Sequence, residues 1–488
     1  MTDRTPVLVG IGVVSQRQED PLHARDPLAL MIEAARLAGA DSAAPSLFPA
    51  LDRILVPRGR WSYGDPGRAI ARAVGAARAR TVLSAVGVLQ QTLLGTACAA
   101  IAAGEIDAAL VAGADAGYRL LRARITGQAL PSSDPGGTPD LVLAPKDDLR
   151  HEAEIRAGLR MPVGLYAMME SAFRARSGLT VEAHQEQMAA LYSRFSAIAA
   201  DNPAAWSRTS LPPDAIRSPS ARNPMQAFPY TKLHCSSWNV DQASALLFCS
   251  AATADALGVP GERRVYPWAS TESNHMVPVC ARAALDACPG ARIAGRAALD
   301  PFGLRVDDID LLELYSCFPI AVETYAAELG IDLRRDLTVT GGMSFAGGPF
   351  NNYVLQSTAR MAQLLRAGKG RTGLVSSVSG ALTKQGFGLW STQPPPAGFR
   401  FADLTDAAAL AAPSRPVALD PHGPGRVAGF TVLYDRGKPP RGIAIIDLEA
   451  GPRAVATTDD PTLAATMERA ELCGAPVTVS GEHFRLAA

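Results

Sequence analysis

The stretch that most constrains this chain is residues 81–116, TVLSAVGVLQQTLLGTACAAIAAGEIDAALVAGADA. A turn marked by Gly87 leads into apolar and small residues from Val88 to Ala103, a break at Gly104 and an apolar run from Ala108 to Ala112. A helix apolar on nearly every face must be buried on nearly every face, so the pattern predicts a helix held between other layers of the protein and followed by a buried strand. Covering it takes a large core, and 488 residues with 48% hydrophobic content supply one, in more than one domain.

The flanking sequence alternates in type. Pro6 to Val14 reads as a buried strand, and Asp26-Pro27 opens a helix that closes near Gly39. An N-cap Asp accepts a bond from an orphan amide, and Pro at the first helical position has no amide to lose. Asp65-Pro66 opens a second such helix, with Ile70 and Val74 on one face. Strand and helix in alternation predict a parallel sheet covered on both faces. From 117 to 230 the strand signals stop: Pro131 to Asp140 is loop-like, and Val181 to Ala200 is helical and carries Met188, Leu191, Tyr192 and Phe195.

The pattern then returns. Arg264 to Ser270 reads as a strand, and Val306 to Leu314 leads through Asp310 into Tyr315-Ser316-Cys317-Phe318-Pro319 and a helix with Val322, Tyr325, Ala326 and Leu329. A Gly-rich loop, a helix from about Asn352 to Arg366, a Gly break and a strand at Leu374 to Val378 repeat the succession at 87 to 113, which predicts an internal duplication. The Pro run 394–396 and the Ala/Pro-rich stretch 402–416 read as a linker. Four or five short alternating strands, with a turn at Asp435-Arg436-Gly437, then predict a small β-rich module.

Several function classes are disfavoured. Lys+Arg and Asp+Glu number 47 each, which gives no electrostatic case for nucleic acid or an anionic membrane surface, and the C-terminal module lacks a basic, aromatic-studded face. The cysteines at 98, 235, 249, 280, 288, 317 and 473 form no Cys-x-x-Cys pair, and His234, His275 and the other histidines show no metal spacing, so neither a metal site nor a disulfide framework is expected. Thr2-Asp3-Arg4 runs straight into a strand without the basic and apolar regions of a leader, and no window approaches the ~20 apolar residues of a membrane span. The expected location is the cytoplasm.

Ile101 to Gly104, with Ala112-Gly113 after it, resembles the nucleophile segment of the thiolase superfamily. There a strand ends in a turn carrying the reactive cysteine, a buried small-residue helix follows, and then come Ile-x-x-Gly and a strand ending in Ala-Gly-Gly. The family's spacing puts Gly87 at the cysteine's place, while Cys98 lies about three helical turns further on at ~1.5 Å per residue, far from the helix start that would lower its pKa. The resemblance covers most of 1–392. It also identifies Asp241 with a family Asp that precedes an Ala-rich helix, here ending at Gly258, and the C-terminal module with an OB-fold that accompanies thiolase-like proteins acting on acyl-CoA.

The other catalytic slots of the family are as altered as the first. Where family members carry Asn-Glu-Ala-Phe or His-Asp-Cys-Phe, this chain has Tyr315-Ser316-Cys317-Phe318, and Ser316 supplies no carboxylate. The Gly-His-Pro whose histidine activates the nucleophile is Gly347-Gly348-Pro349, and the Cys-x-Gly of the last strands is matched by Val378-Ser379-Gly380. Thiolase chemistry needs a nucleophile, an acid/base pair and an oxyanion hole. Tyr315 is the one catalytic candidate left, with Gly87, Ser316, Cys317, Gly348 and Val378 as degenerate slots and Phe318, Gly347, Pro349 and Gly380 as expected substrate or CoA contacts.

The resemblance implies a duplicated thiolase fold: two βαβαβ-type halves in a layered α/β/α/β/α arrangement, a helical loop domain and a small C-terminal β-rich OB-like domain. The expected divisions are 1–118 for the first half, 119–230 for the loop domain, 231–272 for the completion of the first half, 273–400 for the second half, 401–416 for a linker and 417–488 for the OB-like domain. Within the superfamily the chain is most similar to the monomeric, actinobacterial type with an added C-terminal domain, related to the sterol carrier protein x thiolase and labelled acetyl-CoA acetyltransferase by similarity. The implied function is a CoA or acyl-CoA binding protein of lipid metabolism with little or no thiolase activity. Two alternatives stand beside it: an aldolase cleaving a β-hydroxyacyl-CoA with Tyr315 as acid/base, and a non-catalytic scaffold for an acyl-CoA enzyme. CoA or acyl-CoA is the expected ligand, with no covalently bound cofactor, no metal, no nucleic acid and no membrane span. A monomer is expected, with room for a protein partner in acyl-CoA metabolism.

Overall fold

A computed structural model describes residues 3–131, 133–147, 149–435 and 437–487. The helix expected at the centre forms as Gln90–Ala102. Its residues Leu93, Ala97 and Ile101 share one apolar cluster with Val354, Leu355 and Met361 of the helix Tyr353–Arg366 and with residues of two sheets, among them Leu55, Val111, Leu246, Val375 and Trp390. Gly95 makes the close approach possible, since a Cβ there would stand 2.5 Å from Ser270 Oγ. Polar groups of the first turn fasten the helix to its neighbours: Gln91 Nε2 donates to Ser270 Oγ (2.7 Å), Thr92 Oγ1 to Glu272 Oε2 (2.6 Å), and Gln90 Oε1 accepts from Val354 N (2.8 Å).

The first sheet holds β1 (Pro6–Gln16), β2 (Arg53–Pro57), β3 (Arg80–Ser84), β4 (Ala108–Ala116), β5 (Leu141–Leu143) and β8 (Asp241–Ser250). Their order is β1-β8-β4-β2-β3-β5. The second sheet holds β9 (Tyr266–Ser273), β10 (Leu311–Glu313), β11 (Thr372–Ser379), β12 (Lys384–Ser391) and β13 (Arg400–Asp403), in the order β10-β11-β12-β9-β13. The duplication is visible in the pairing. Across β1, β8, β4 and β2 the senses run antiparallel, antiparallel, parallel, and across β9, β12, β11 and β10 they run the same way. Helices Pro27–Asp41 and Pro66–Val74 cover the outer face of the first sheet, and Pro289–Leu299 and Pro319–Leu329 that of the second, which completes the α/β/α/β/α layers. Asp26 and Asp65 cap their helices as expected, accepting from Ala29 N and Arg68 N.

Several expectations are corrected. The Ala-rich helix expected after Asp241 is the strand β8, and only Ala251–Ala256 is helical. All ten residues of β8 are buried between β1 and β4, and a run buried on both faces carries no periodicity to tell strand from helix. Because β8 runs antiparallel to both neighbours, the first sheet is mixed rather than parallel. The strand expected at Arg264 to Ser270 forms as β9 but pairs with β12 and β13, so it opens the second sheet instead of completing the first. The linker expected at 401–416 is structured: β13 closes the edge of the second sheet beside β9, and Thr405–Ala411 is helical.

The segment expected to be free of strands also contributes to sheets. β5 pairs with β3, and β6 (Met225–Ala227) and β7 (Tyr230–Thr231) join the C-terminal sheet. Each is two or three residues long, below the length at which alternation can be read. The C-terminal sheet is built from β14 (His422–Leu433), β15 (Arg441–Leu448), β16 (Arg453–Thr458), β17 (Pro476–Ser480) and β18 (His483–Leu486), and the β14–β15 pairing closes it into a small barrel. Arg436 of the expected turn and Thr2 of the N-terminal reading lie outside the described residues, as does Ser132 of the loop expected at Pro131 to Asp140. The barrel docks on the helix Pro162–Ser177, where Phe430 N donates to Ser171 Oγ (2.8 Å). Among the described residues, no helix is long and apolar enough to cross a membrane.

Candidate active site

The first-half turn at Gly87, the segment after β10, the Gly-rich loop before the helix Tyr353–Arg366 and the end of β11 converge on one cavity of about 360 Å³. It brings together Gly87, Tyr315, Cys317, Phe318, Gly348, Pro349, Val378 and Gly380 from the expected set. Ser316 and Gly347 lie behind its wall. Ser316 Oγ, fully buried, accepts from Met343 N (3.0 Å) and so holds the Gly-rich loop. Gly347 has φ +102°, and a side chain there would run into the Gln242 amide, so the backbone needs glycine twice over.

Each slot can be judged by what its atoms can do. Gly87 has φ +98°, and a Cβ on it would lie 3.1 Å from Pro145 Cγ, so the space a nucleophilic side chain would use is taken by Pro145 and Leu149. Gly87 O accepts from Ser379 Oγ (3.3 Å) and Lys384 Nζ (3.2 Å). Burial pushes the Cys317 thiol up to about 12 despite the Tyr166 hydroxyl beside it, and the same cause raises Cys98, so neither is a thiolate at neutral pH. Tyr315 is half-buried, its amide donates to Ser376 Oγ (2.8 Å), and its ring packs edge-on against Tyr353 at 5.6 Å. Its hydroxyl has no hydrogen-bond partner among the described residues, and burial raises its pKa. The site therefore offers a phenol as proton donor and no strong base among the expected residues.

Two buried carboxylate clusters stand behind the cavity. Glu313 Oε2 accepts from Thr338 Oγ1 (2.9 Å), Val339 N (2.7 Å) and Thr340 N (3.0 Å), and its Oε1 accepts from Tyr353 OH (2.6 Å). Glu170, His184 and Glu323 form the other, with ligand-type atoms within 4.8 Å of one another, a set that could hold a metal ion. Their sequence spacing hides this, because three helices bring them together. His184 Nε2 lies 2.6 Å from Glu170 Oε1 and 3.7 Å from Glu323 Oε2, and the Tyr230 hydroxyl donates to Glu170 Oε2. Tyr230 in turn stacks on Phe318 at 5.6 Å.

Residues that the sequence did not single out also line the site. Tyr166 packs on Phe318 at 4.6 Å, Cys235 and Ser236 come from the segment before β8, and Arg150 is the one charged side chain lining the cavity among the described residues. Lys384, buried at the start of β12 and paired in register with Ser379, was visible only as a lysine in a chain that otherwise chooses arginine.

No family model matches the chain, and no curated protein matches it in sequence. The structure is similar to the crystal structure of a monomeric SCP2-thiolase like protein type 1 from Mycobacterium smegmatis, at 30% identity and a TM-score of 0.84 over 100% of both chains. It shares its fold with an acetyl-CoA acetyltransferase from Syntrophomonas wolfei, at 20% identity and a TM-score of 0.56 over 80% of this chain and 100% of that one. The Ltp2-ChsH2(DUF35) aldolase has the same fold at 18% identity and a TM-score of 0.60, over 80% and 99%.

Proposed function

The chain belongs to the SCP2-thiolase-like proteins of the thiolase superfamily, and from that premise we propose that it binds CoA or an acyl-CoA thioester at the Gly87 cavity with little or no thiolase turnover. The observation that carries this reading is the contrast within one site. The cavity is open and largely apolar, while the positions where a thiolase needs a thiolate, an imidazole and a carboxylate hold Gly87, Gly348 and Ser316. Arg150 is the natural contact for the phosphate end of the ligand. Such a lining suits a fatty or steroid-like acyl group, hence a role in lipid metabolism. Calorimetry and thermal shift with CoA and a series of acyl-CoAs test this: heat and a raised melting temperature are expected, and the absence of both overturns it.

A second reading, a thiolase-like aldolase, is favoured by Tyr315, which lines the cavity and whose hydroxyl has no hydrogen-bond partner among the described residues. A retro-aldol step needs a proton donor for the departing enolate, and a phenol kept protonated by burial suits that half of the reaction. Turnover of a β-hydroxyacyl-CoA by the native protein but not by Tyr315→Phe separates an aldolase from a binder.

The protein acts as a monomer in this reading. β5, of 3 residues, and β13, of 4, form one edge of each sheet, and edge strands this short offer another chain few backbone groups to pair with. Light scattering at twice the chain mass would refute it.

A further inference from the structure

A second cavity, of about 690 Å³, opens on the other side of the Gly87 turn, and among its lining residues are Thr92, Asn274, His275, Lys384 and Asp406. Lys384 is 2% exposed. Its Nζ donates to Gly87 O at 3.2 Å, and among the described residues no carboxylate oxygen lies within ion-pair distance of it. A buried ammonium with one carbonyl partner and no carboxylate within ion-pair distance among the described residues is disfavoured against the neutral amine, with Asp147, Asp403 and Asp406 further along the cavity wall acting the other way. Burial accordingly lowers the Lys384 pKa, with the more distant Asp147 opposing. The chain's other lysines, Lys146, Lys232, Lys369 and Lys438, are all exposed, and arginine supplies the remainder of its 47 basic residues. Of lysine and arginine, only lysine can become a neutral nucleophile on burial.

We propose that Lys384 is a covalent attachment point for a carbonyl compound, a small polar aldehyde or ketone held in this second cavity as an imine. The amine nitrogen adds to the carbonyl carbon to give a carbinolamine. The carbon–oxygen bond then breaks, and the oxygen leaves as water with the two hydrogens that the amine nitrogen carried. The C=N bond is formed without any oxidant or reductant. His275, on the same wall, turns Nε2 to Ala412 O at 3.3 Å, which leaves Nδ1 to carry a proton from the nitrogen to the departing hydroxyl. The inference goes beyond thioester binding, because Lys384 does not line the 360 Å³ cavity.

Brief treatment of the full-length protein at neutral pH with limiting acetaldehyde and cyanoborohydride, followed by peptide mapping, tests the assignment. Trapping reduces the C=N bond to a stable ethylamine. The expected result is an ethyl adduct on Lys384 ahead of the four exposed lysines, lost in Lys384→Met and in Lys384→Arg, the second of which keeps a cation on a similar stem. Labelling of exposed lysines with Lys384 unmodified overturns the proposal, as does unchanged total labelling in both variants. A CoA-induced thermal shift measured on the same variants reports on the thioester reading separately, since the loss of one signal leaves the other standing.

Discussion

Behind the wall formed by Tyr315 and the Gly-rich loop lies Glu313, and behind the wall formed by Phe318 lies Glu170 with His184 and Glu323. All three carboxyl groups are fully buried, and desolvation raises the pKa of each. The difference is in donors. Glu313 receives backbone amides from Val339 and Thr340 and hydroxyls from Thr338 and Tyr353, so it pins the loop that carries Gly347, Gly348 and Pro349. Glu323 receives the Gln187 amide at 2.9 Å on one oxygen, and its other oxygen has no amide or hydroxyl donor among the described residues. The same residue type at the same depth is thus a structural clamp where donors saturate it and a proton-holding group where they do not.

The largest effect should come from breaking the saturated cluster. Glu313→Ala leaves two buried backbone amides unpaired and should lower unfolding stability by about 4 kcal/mol, with Glu313→Gln losing roughly half as much because it keeps an acceptor. Chemical denaturation midpoints measure both. Equal and small losses would mean that the loop holds its shape without the clamp.

The unsaturated cluster should show itself through pH. Burial raises the Glu323 carboxyl well above its ordinary value, so the folded protein keeps a proton that the unfolded chain releases above about pH 4.3. Stability then falls as pH rises through that window, by up to about 1.4 kcal/mol per pH unit for each proton so held. Glu323→Gln imitates the protonated form, so its melting temperature should fall less steeply with pH than that of the native protein. If shared protons rather than an ion settle the charge, a chelator leaves the native melting temperature unchanged. A chelator-sensitive melt abolished by Glu323→Gln would recast the cluster as a metal site.

The turn at Gly87 tests the opposite wall. Gly87→Cys places a side chain at φ +98° against Pro145, a strain of about 1–3 kcal/mol. The new thiol would have no imidazole beside it, since Gly348 stands in the histidine's place, and it would stay mostly protonated near pH 7 with an ordinary pKa of about 8.5. No acetyl adduct should appear by mass spectrometry after incubation with acetyl-CoA. Gly87→Cys combined with Gly348→His supplies an activator, although the added side chain must displace Ser236 and Met343, whose atoms stand 3.1 and 3.2 Å from the new Cβ. A stable adduct on the single variant would show that the missing histidine is not what silences this position.

How much of this was legible in the sequence follows from where each signal lies. The buried central helix was readable because an all-apolar run has one physical solution, and the Asp-Pro helix starts were readable because capping is local. β8 was misread as a helix because burial on both faces erases periodicity. β5, β6 and β7 were missed because they are too short, and β5 and β6 find their partners β3 and β14 far away in the chain. Of the candidate site, Tyr315, Cys317 and Gly348 were found through the family frame. Lys384 and the Glu170, His184 and Glu323 set were not, since each depends on tertiary contacts between segments more than a hundred residues apart.

The smallest structural effect is expected at Tyr315, and it sharpens the contrast between the two walls most. The Tyr315 hydroxyl has no hydrogen-bond partner among the described residues, so Tyr315→Phe should change unfolding stability by no more than about 0.5 kcal/mol, unlike any change at Glu313 only two residues earlier. The ring keeps its edge-on packing against Tyr353, and the cavity keeps its shape, so a CoA-induced thermal shift should persist. Turnover of a β-hydroxyacyl thioester is a different matter, because the phenol is the only unpartnered proton donor on that wall among the expected residues. With its pKa raised, the phenol stays protonated across the neutral range, so any turnover that depends on it should show no loss between pH 6 and pH 9 attributable to its ionisation, on the scale of an ordinary tyrosine near 10. A large stability loss in Tyr315→Phe would place this residue with Glu313 in the structural clamp and remove it from the chemistry.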